Sequence, residues 1–545
     1  MTLFEQILTA RGLVTRAARQ AFLQPDYMAV KHDPFLLPDM KKAVARLKQA
    51  REQGEKIVIY GDYDIDGLSA TALLLDAFGK FGFEDVDAFI PNRFVEGYGM
   101  TMGAVDKVRD MGADLIVTVD TGSLCHAEIA YAASLGIDTV VTDHHNVAET
   151  PPPSVAAVNP KFPGHTYPFR DLCGAGVAFK LVQALQTELD GLPDGYEKWL
   201  LDLVALGTVC DIVTLADENR ANVYWGLEVL KKQQRPGLKA LMAVAGIDPE
   251  QVNARHLGFG LGPRMNAAGR LETAQHALDM LVARDGLAAL EASEKLEELN
   301  GKRRSIQDTI FEKACVQAEE LADDRVLVVS SSGWNHGVIG IVASKLVEKY
   351  KKPVFIIGER GEEATGSARS FGDFSAADAV RAADDIIIKG GGHRAAAGVT
   401  LATEKIGDFR RRVNEFYDSL QLTNQERYLL PRADVEIDDF SEVDEELVEN
   451  LARMEPFGNG NPEPVVKITT ASVLNTRRMG ADGQHVKLAL RDKNGRLLQT
   501  LAFNASEEFF RDPGDEVAVW FQPTVNEWQG VRTVEGRLLH VSEVE

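Results

Sequence analysis

Three times before residue 146, an apolar, β-branched run stops on acidic or imidazole side chains and gives way to a helix-forming stretch or a loop. The first run, "KIVIYG", leads into Asp62, Asp64 and Asp66; the second, "ADLIVTVD", ends on Asp120; the third, "IDTVVTDHH", ends on Asp143, His144 and His145. Helical spacing follows in "LSATALLLDAFGKFG" and again in "AEIAYAASLG". Strands that alternate with helices pair in parallel, and open parallel sheets bind ligands beyond the carboxyl ends of their strands. The expected fold is therefore α/β with a parallel sheet, and all three clusters fall at one sheet edge. Carboxylates crowded there repel one another unless cations lie between them. Taken alone, "YGDYDIDG" also opens like a calcium loop, but position twelve, where such a loop needs a bidentate Glu, is Leu73. Its entering side is β-branched rather than helical, so that reading fails.

A fourth carboxylate, Asp211, sits inside the apolar stretch "LVALGTVCDIVTL". By itself it reads equally well as a turn or helix cap. With the other clusters it reads as another inward ligand. An oxygen-rich set with imidazole suits Mn²⁺ or Mg²⁺ rather than a thiolate-preferring metal. Two such ions about 3.5–4 Å apart activate a water and stabilise in-line phosphoryl displacement, so the chemistry indicated is phosphoester hydrolysis.

Charge bears on that chemistry, because 59 basic residues against 82 acidic ones leave a net charge of −23. Broad attraction to a polyanion is disfavoured, and a nucleic-acid substrate would need a local basic channel with metal ions offsetting part of the acidity. At 545 residues the chain is too long for one core. No apolar run is long enough for a membrane span, and the start lacks the pattern of a secretory signal, so the expected location is the cytoplasm. Cys125, Cys173, Cys210 and Cys315 form no close pair and read as small buried apolar residues.

Further along, "DRVLVVSSSGWNHGVIGIVASKLVEKYKKPVFIIG" opens a second, smaller α/β domain, after a proline-free stretch over 285–324 that reads as a long connecting helix, broken or bent near Gly301 at most. From about Pro431, short strand-like runs separated by turns predict a β-barrel of the OB kind. The expected division is 1–284, 285–324, 325–424 and 425–545. Phe503, Trp520 and Trp528 are candidates for base stacking, with core packing expected of at least one of them.

The ordered set "YGDYDIDG", "PNRFVEGYG", "TVDTG", "TDHH", "GTVCDIV", "GPRMNAAGR", "GSARS", "GGHRAAAG" and "EPFGNGNPEP" resembles the DHH phosphoesterase superfamily, and more narrowly its RecJ family of bacterial single-strand-specific 5′→3′ exonucleases. The resemblance runs from residue 60 to beyond 460. It implies Asp64, Asp66, Asp120, His144 and Asp211 as ligands of two Mn²⁺ or Mg²⁺ ions. Asp62 and Asp143 either ligate or orient a neighbour, and His145 places or protonates the scissile phosphate. Arg93 and Tyr98 are implied at a terminal phosphate and its base, where the bare residues would read as a flexible loop. Arg264, Asn266 and Arg270 are implied at the nucleic-acid backbone, against a surface turn with ion pairs. Ser367, Arg369, Gly391, Gly392 and His393 belong to the implied substrate domain. Two departures are Thr121, where cysteine is frequent, and Asn335, where histidine is more usual. The implied function is release of mononucleotides from single-stranded DNA in recombinational and mismatch repair, by a monomer working with a single-strand-binding protein and a helicase and no membrane. The alternatives are a phosphodiesterase of short oligonucleotides or cyclic dinucleotides, and a scaffold that has lost the chemistry.

Overall fold

The computed structural model describes every residue except Tyr98, Asn424, Ala481 and Glu545, with only the backbone at Glu426. It divides into two compact units: Met1–Pro91, Tyr98–Gly262 and Leu430–Glu545 form the first, Asn92–Gly97 and Pro263–Leu429 the second.

In the first unit, β1 (Ile57–Gly61), β2 (Val86–Phe89), β3 (Leu115–Val119), β4 (Asp138–Thr142) and β5 (Ala156–Val158) pair in parallel in the order β2-β1-β3-β4-β5. The chain reverses direction of winding between β1 and β3, which is where doubly wound sheets of this order open a ligand crevice. Register fixes what stands there. Gly61 pairs with Val119, Val119 with Thr142, and Thr142 with Val158, so the next residues, Asp62, Asp120, Asp143 and Asn159, leave the sheet level with one another. Val58, Tyr60, Ile116 and Val141 pack on Ala104, Val105, Val108, Ile129 and Ala132 of helices Met102–Asp110 and His126–Ser134. Helices Ile65–Phe81, Gly174–Leu185 and Leu201–Cys210 pack against one another, with Ile65–Phe81 also against β1 and Gly174–Leu185 also against β3 and β4. Gly174–Leu185 is buried along its whole length, and its two polar side chains, Lys180 and Gln183, are paired with Glu218 and Tyr27.

The same unit holds a barrel built from β11 (Val435–Ile437), β12 (Val466–Met479), β13 (His485–Arg491), β14 (Leu497–Ala502), β15 (Glu516–Trp528) and β16 (Val531–Glu543). The order is β11-β12-β13-β14-β16-β15, and antiparallel pairing of β12 with β15 closes it. None of Phe503, Trp520 and Trp528 joins its core, contrary to expectation: along β15, Val517, Val519 and Phe521 point inward, while Trp520 is half-buried beside Lys467 and His540. Leu3, Ile7 and Leu8 of the first helix, Leu3–Ala10, do belong to that core.

The second unit carries β6 (Leu327–Ser332), β7 (Val354–Arg360), β8 (Glu363–Arg369), β9 (Lys389–Gly392) and β10 (Ala396–Ala402), ordered β6-β7-β8-β10-β9. Its long helix, Gly286–Glu320, passes through Gly301 without interruption.

Candidate metal centre

Asp64 caps the helix Ile65–Phe81: its Oδ1 accepts from the N–H groups of Asp66, at 2.9 Å, and Gly67, at 3.1 Å. The alternate spacing thus puts Asp62 at the strand end, Asp64 at the cap and Asp66 in the first turn. Asp66 is buried and accepts from the N–H groups of Gly174 and Ala175, at 2.5 and 2.9 Å, where the helix Gly174–Leu185 begins. The approach is close enough to exclude side chains. A Cβ on Gly174 would stand 2.5 Å from the Asp120 Cβ, and one on Gly207 2.5 Å from the Asp66 Oδ1.

Three groups of donor atoms converge, each within 4.8 Å: Asp62 with Asp64 and Asp120; Asp66 with His144 and Asp211; Asp120 with His144 and His145. His144 Nε2 lies 3.0 Å from Asp120, 3.5 Å from Asp211 and 3.7 Å from Asp66. Nevertheless His144 Nε2 and both Asp120 oxygens are buried without a hydrogen bond. Buried polar atoms that face one another unpaired are costly unless a further group satisfies them. Oxygen and imidazole donors sharing Asp120 and His144 between clusters fit divalent cations.

The electrostatics agree. Burial, then the charge of Asp64, raises the Asp66 carboxyl to about 6; burial, then Asp66 and Asp64, raises Asp211 to about 8. Burial and the neighbouring aspartates push Asp120 well above its ordinary value. His144 is lowered to about 4, by burial and then by the charge of His145. Asp143 differs from these carboxylates. Burial works to raise it, but Ser123 N–H at 2.9 Å, the N–H groups of His144 and His145 at 2.7 and 3.1 Å, and His145 Nδ1 at 2.9 Å hold it below the usual carboxylate range. Against the opposing effect of burial, the Asp143 hydrogen bond raises His145 to about 9. Two supports escaped the sequence reading. Buried Asn159 donates to Ser123 Oγ at 2.8 Å and to His145 O at 3.0 Å, and the charge of Lys161 adds to the lowering of His144 and opposes the rise of Asp211. The sequence "NPK", directly after β5, was the signal for both.

Residues 56–208 match the family described as "DHH family, N-terminal domain", residues 323–419 the "DHHA1 domain" and residues 433–540 the "RecJ OB domain". The single-stranded-DNA-specific exonuclease RecJ of Dickeya dadantii (strain 3937) is 35% identical over 534 residues, covering 93% of this chain and 91% of that protein. The chain belongs to the RecJ family. The RecJ of Bacillus subtilis (strain 168) is 39% identical over 533 residues, and this chain spans 66% of that longer relative. In three dimensions the chain is similar to crystal structures of RecJ from Thermus thermophilus. The complex with Mn²⁺ has a TM-score of 0.84 at 30% identity, covering 99% of this chain and 76% of that one. The complex with Mg²⁺ has a TM-score of 0.77 at 28% identity, covering 99% and 74%.

The second unit of this RecJ-family chain holds most of the residues expected at a strand end. Ser367 and Arg369 share one face of β8, opposite buried Ala364 and Ala368, and Arg369 Nη1 donates to Ser367 Oγ at 3.2 Å. Burial lowers the Arg369 pKa. A Cβ on Gly340 would lie 3.0 Å from Ser367 Oγ, so this glycine lets the helix His336–Tyr350 approach both residues. Gly391 pairs with Gly398, and Gly398 with Ser367, which sets Gly391 and Ser367 in one row across β9, β10 and β8. Gly392 is left-handed at φ +151°, and His393 is exposed in the turn that follows. Arg264, Asn266 and Arg270 lie on the helix Gly262–Leu271 rather than in a surface turn. Arg264 Nε is 2.5 Å from Glu297, and Arg270 Nη1 donates to Gly337 O at 2.8 Å. Arg93 sits in a turn tied to the end of that helix by Asn92 Nδ2, which donates to Glu272 O at 3.2 Å. Tyr98 lies outside the described residues. One candidate was missed: His336, at the helix start after Asn335, has both ring nitrogens buried without a hydrogen bond.

Proposed function

We propose that the chain is a metal-dependent exonuclease that removes 5′-mononucleotides successively from the 5′ end of single-stranded DNA. The observation that carries this reading is the convergence of Asp120 and His144, whose buried carboxylate oxygens and Nε2 form no hydrogen bond, with Asp62, Asp64, Asp66 and Asp211 at one edge of the sheet. The relatives' name, single-stranded-DNA-specific exonuclease, supplies the substrate class.

Asp62, Asp64, Asp66, Asp120, His144 and Asp211 would hold two Mn²⁺ or Mg²⁺ ions. Such ions supply an activated water and neutralise charge on the phosphoryl oxygens. Asp143 takes its hydrogen bonds from protein donors and is the orienting carboxylate. It fixes Nδ1 of His145 as a donor, and the imidazole so oriented is assigned to the scissile phosphate. A pKa of about 9 keeps that imidazole protonated at neutral pH, suited to offset developing charge and to give its proton to the departing 3′ oxygen. Arg93, Tyr98, Ser367, Arg369 and His393, with the exposed backbone of Gly391 and Gly392, are assigned to the terminal phosphate and its nucleotide; Arg264, Asn266 and Arg270 are assigned to the strand backbone. A single-strand-binding protein and a helicase as partners, a monomeric state, a cytoplasmic location and a role in recombinational and mismatch repair complete the reading.

The test is end discrimination. Replacing Arg93, Ser367 or Arg369 by alanine should lower turnover of 5′-phosphorylated strands more than that of unphosphorylated ones; equal losses on both would remove these residues from the phosphate site.

A further inference from the structure

Asp211 ends the helix Leu201–Cys210, and the residue after it is held in an unfavourable conformation. Ile212 is β-branched, has φ 61° and is 70% exposed, so neither its backbone preference nor core packing explains its left-handed geometry. What does hold it comes from far along the chain. Asn459 Nδ2 donates to Ile212 O at 2.8 Å, and Asn459 O accepts from Leu215 N–H at 2.8 Å. One asparagine thereby grips both ends of the turn from Ile212 to Leu215. The flanking glycines permit the approach: a Cβ on Gly458 would stand 2.7 Å from Leu215 Cδ1, and one on Gly460, at φ +77°, 2.5 Å from Thr214 Cγ2.

The gripping loop is itself firmly anchored. Asn461 Nδ2 donates to the carbonyls of Met454 and Pro456, both at 2.9 Å, and Arg11 Nη1 donates to Asn461 Oδ1 at 2.8 Å. From the other side, Asp171 accepts from Thr214 N–H at 3.0 Å. The turn that follows Asp211 is thus held between the sheet unit's own Asp171 and the loop leading into β12.

We propose that Asn459 is a positioning residue for Asp211: by holding Ile212 left-handed it keeps the Asp211 carboxylate in place beside Asp66 and His144. The segment "FGNGNP" thereby links the barrel to the hydrolytic centre through two hydrogen bonds. The inference rests on the reading of Asp211 as a metal ligand and adds to it the device that places the ligand.

The experiment compares wild type, Asn459→Ala, Asn459→Ala with Ile212→Gly, and Asp211→Ala, using calorimetric titration of metal-stripped protein with Mn²⁺, thermal melts, and kcat and KM on single-stranded DNA. Asn459 is exposed, so its replacement leaves the core untouched and Tm should stay within about 2 °C of wild type. Its Mn²⁺ dissociation constant should rise about tenfold or more, with kcat reduced at limiting metal and KM for DNA unchanged. Glycine adopts the left-handed region without strain, so Ile212→Gly should restore Mn²⁺ affinity toward wild type in the Asn459→Ala background. Wild-type Mn²⁺ affinity in Asn459→Ala, or a loss that Ile212→Gly does not relieve, would overturn the proposal while leaving Asp211 as a ligand. Wild-type Mn²⁺ affinity in Asp211→Ala would instead overturn the ligand reading, and the proposal with it.

Discussion

Asp120 and Asp143 end neighbouring strands, yet their oxygens meet opposite surroundings. Asp143 is saturated by protein donors, whereas both Asp120 oxygens are buried without one. Two kinds of variant should follow. Asp64→Ala, Asp120→Ala and Asp211→Ala should abolish hydrolysis while the fold persists, checked by turnover and circular dichroism. Asp143→Ala should reduce turnover about 10–100-fold, on the proposed reading of Asp143 as an orienting partner rather than a metal ligand. The shifted groups also predict how metal-free protein responds to pH. Asp66 at about 6 and Asp211 at about 8 retain protons in the folded state that the unfolded chain has already released, so stability falls as pH rises toward 8. The contribution of His145 is full below the unfolded value of about 6.5 and is lost as pH rises through about 9, which has the same sign. His144, lowered to about 4, opposes this only below about 6.5. In chelator, Tm should therefore fall steadily between about pH 6.5 and 9, and saturating Mg²⁺ should flatten the slope. A flat profile in chelator would contradict these shifts. The sequence showed these acids and imidazoles but not their partners, because whether an aspartate meets N–H groups or other carboxylates depends on folding that joins distant stretches of the chain.

Elements explain why the cluster forms. Three strands ending on acid were legible because strand–helix alternation forces parallel pairing, and parallel pairing puts the strand ends on one edge. The register that makes Asp62, Asp120 and Asp143 level was not legible, since apolar runs buried on both faces slide without an obvious penalty in the sequence pattern. The glycines of the neighbouring helices were also silent. A Cβ on Gly207 would reach 2.5 Å from Asp66 Oδ1, so Gly207→Ala should weaken Mn²⁺ binding in a titration although no ligand was expected at that position. The helix Asp217–Lys231 supplies a different kind of restraint. Arg220 is buried over the Phe22 ring and donates to the carbonyls of Phe22, Met454, Glu455 and Pro456, with no carboxylate among those partners; burial lowers it to about 10. Arg220→Ala would take the guanidinium from the carbonyls of Phe22 and Glu455, while Met454 and Pro456 keep Asn461 Nδ2, and should cost about 2–4 kcal/mol in denaturant unfolding. An unchanged midpoint would show that solvent replaces the guanidinium without loss.

At the scale of the whole molecule, a chain of net charge −23 is assigned to a polyanionic substrate. The conflict is eased where it matters most, because the acids gathered at the sheet edge are those that cations would neutralise. The α/β domains and the terminal barrel were legible from strand length and turn spacing. The packing of Leu3, Ile7 and Leu8 into the barrel core was not, since no local pattern marks a partner at the opposite end of the chain. No helix among the described residues is long and apolar enough to cross a membrane. The central claim is that the cluster around Asp120 hydrolyses single-stranded DNA from its 5′ end. The most direct measurement is product analysis on a long single strand labelled at either end, with Mn²⁺, with Mg²⁺ and with chelator. Metal-dependent release of mononucleotides from the 5′ end alone, with duplex spared, is the predicted result. Release from the 3′ end, cleavage confined to dinucleotide-length substrates, or binding without cleavage would contradict it.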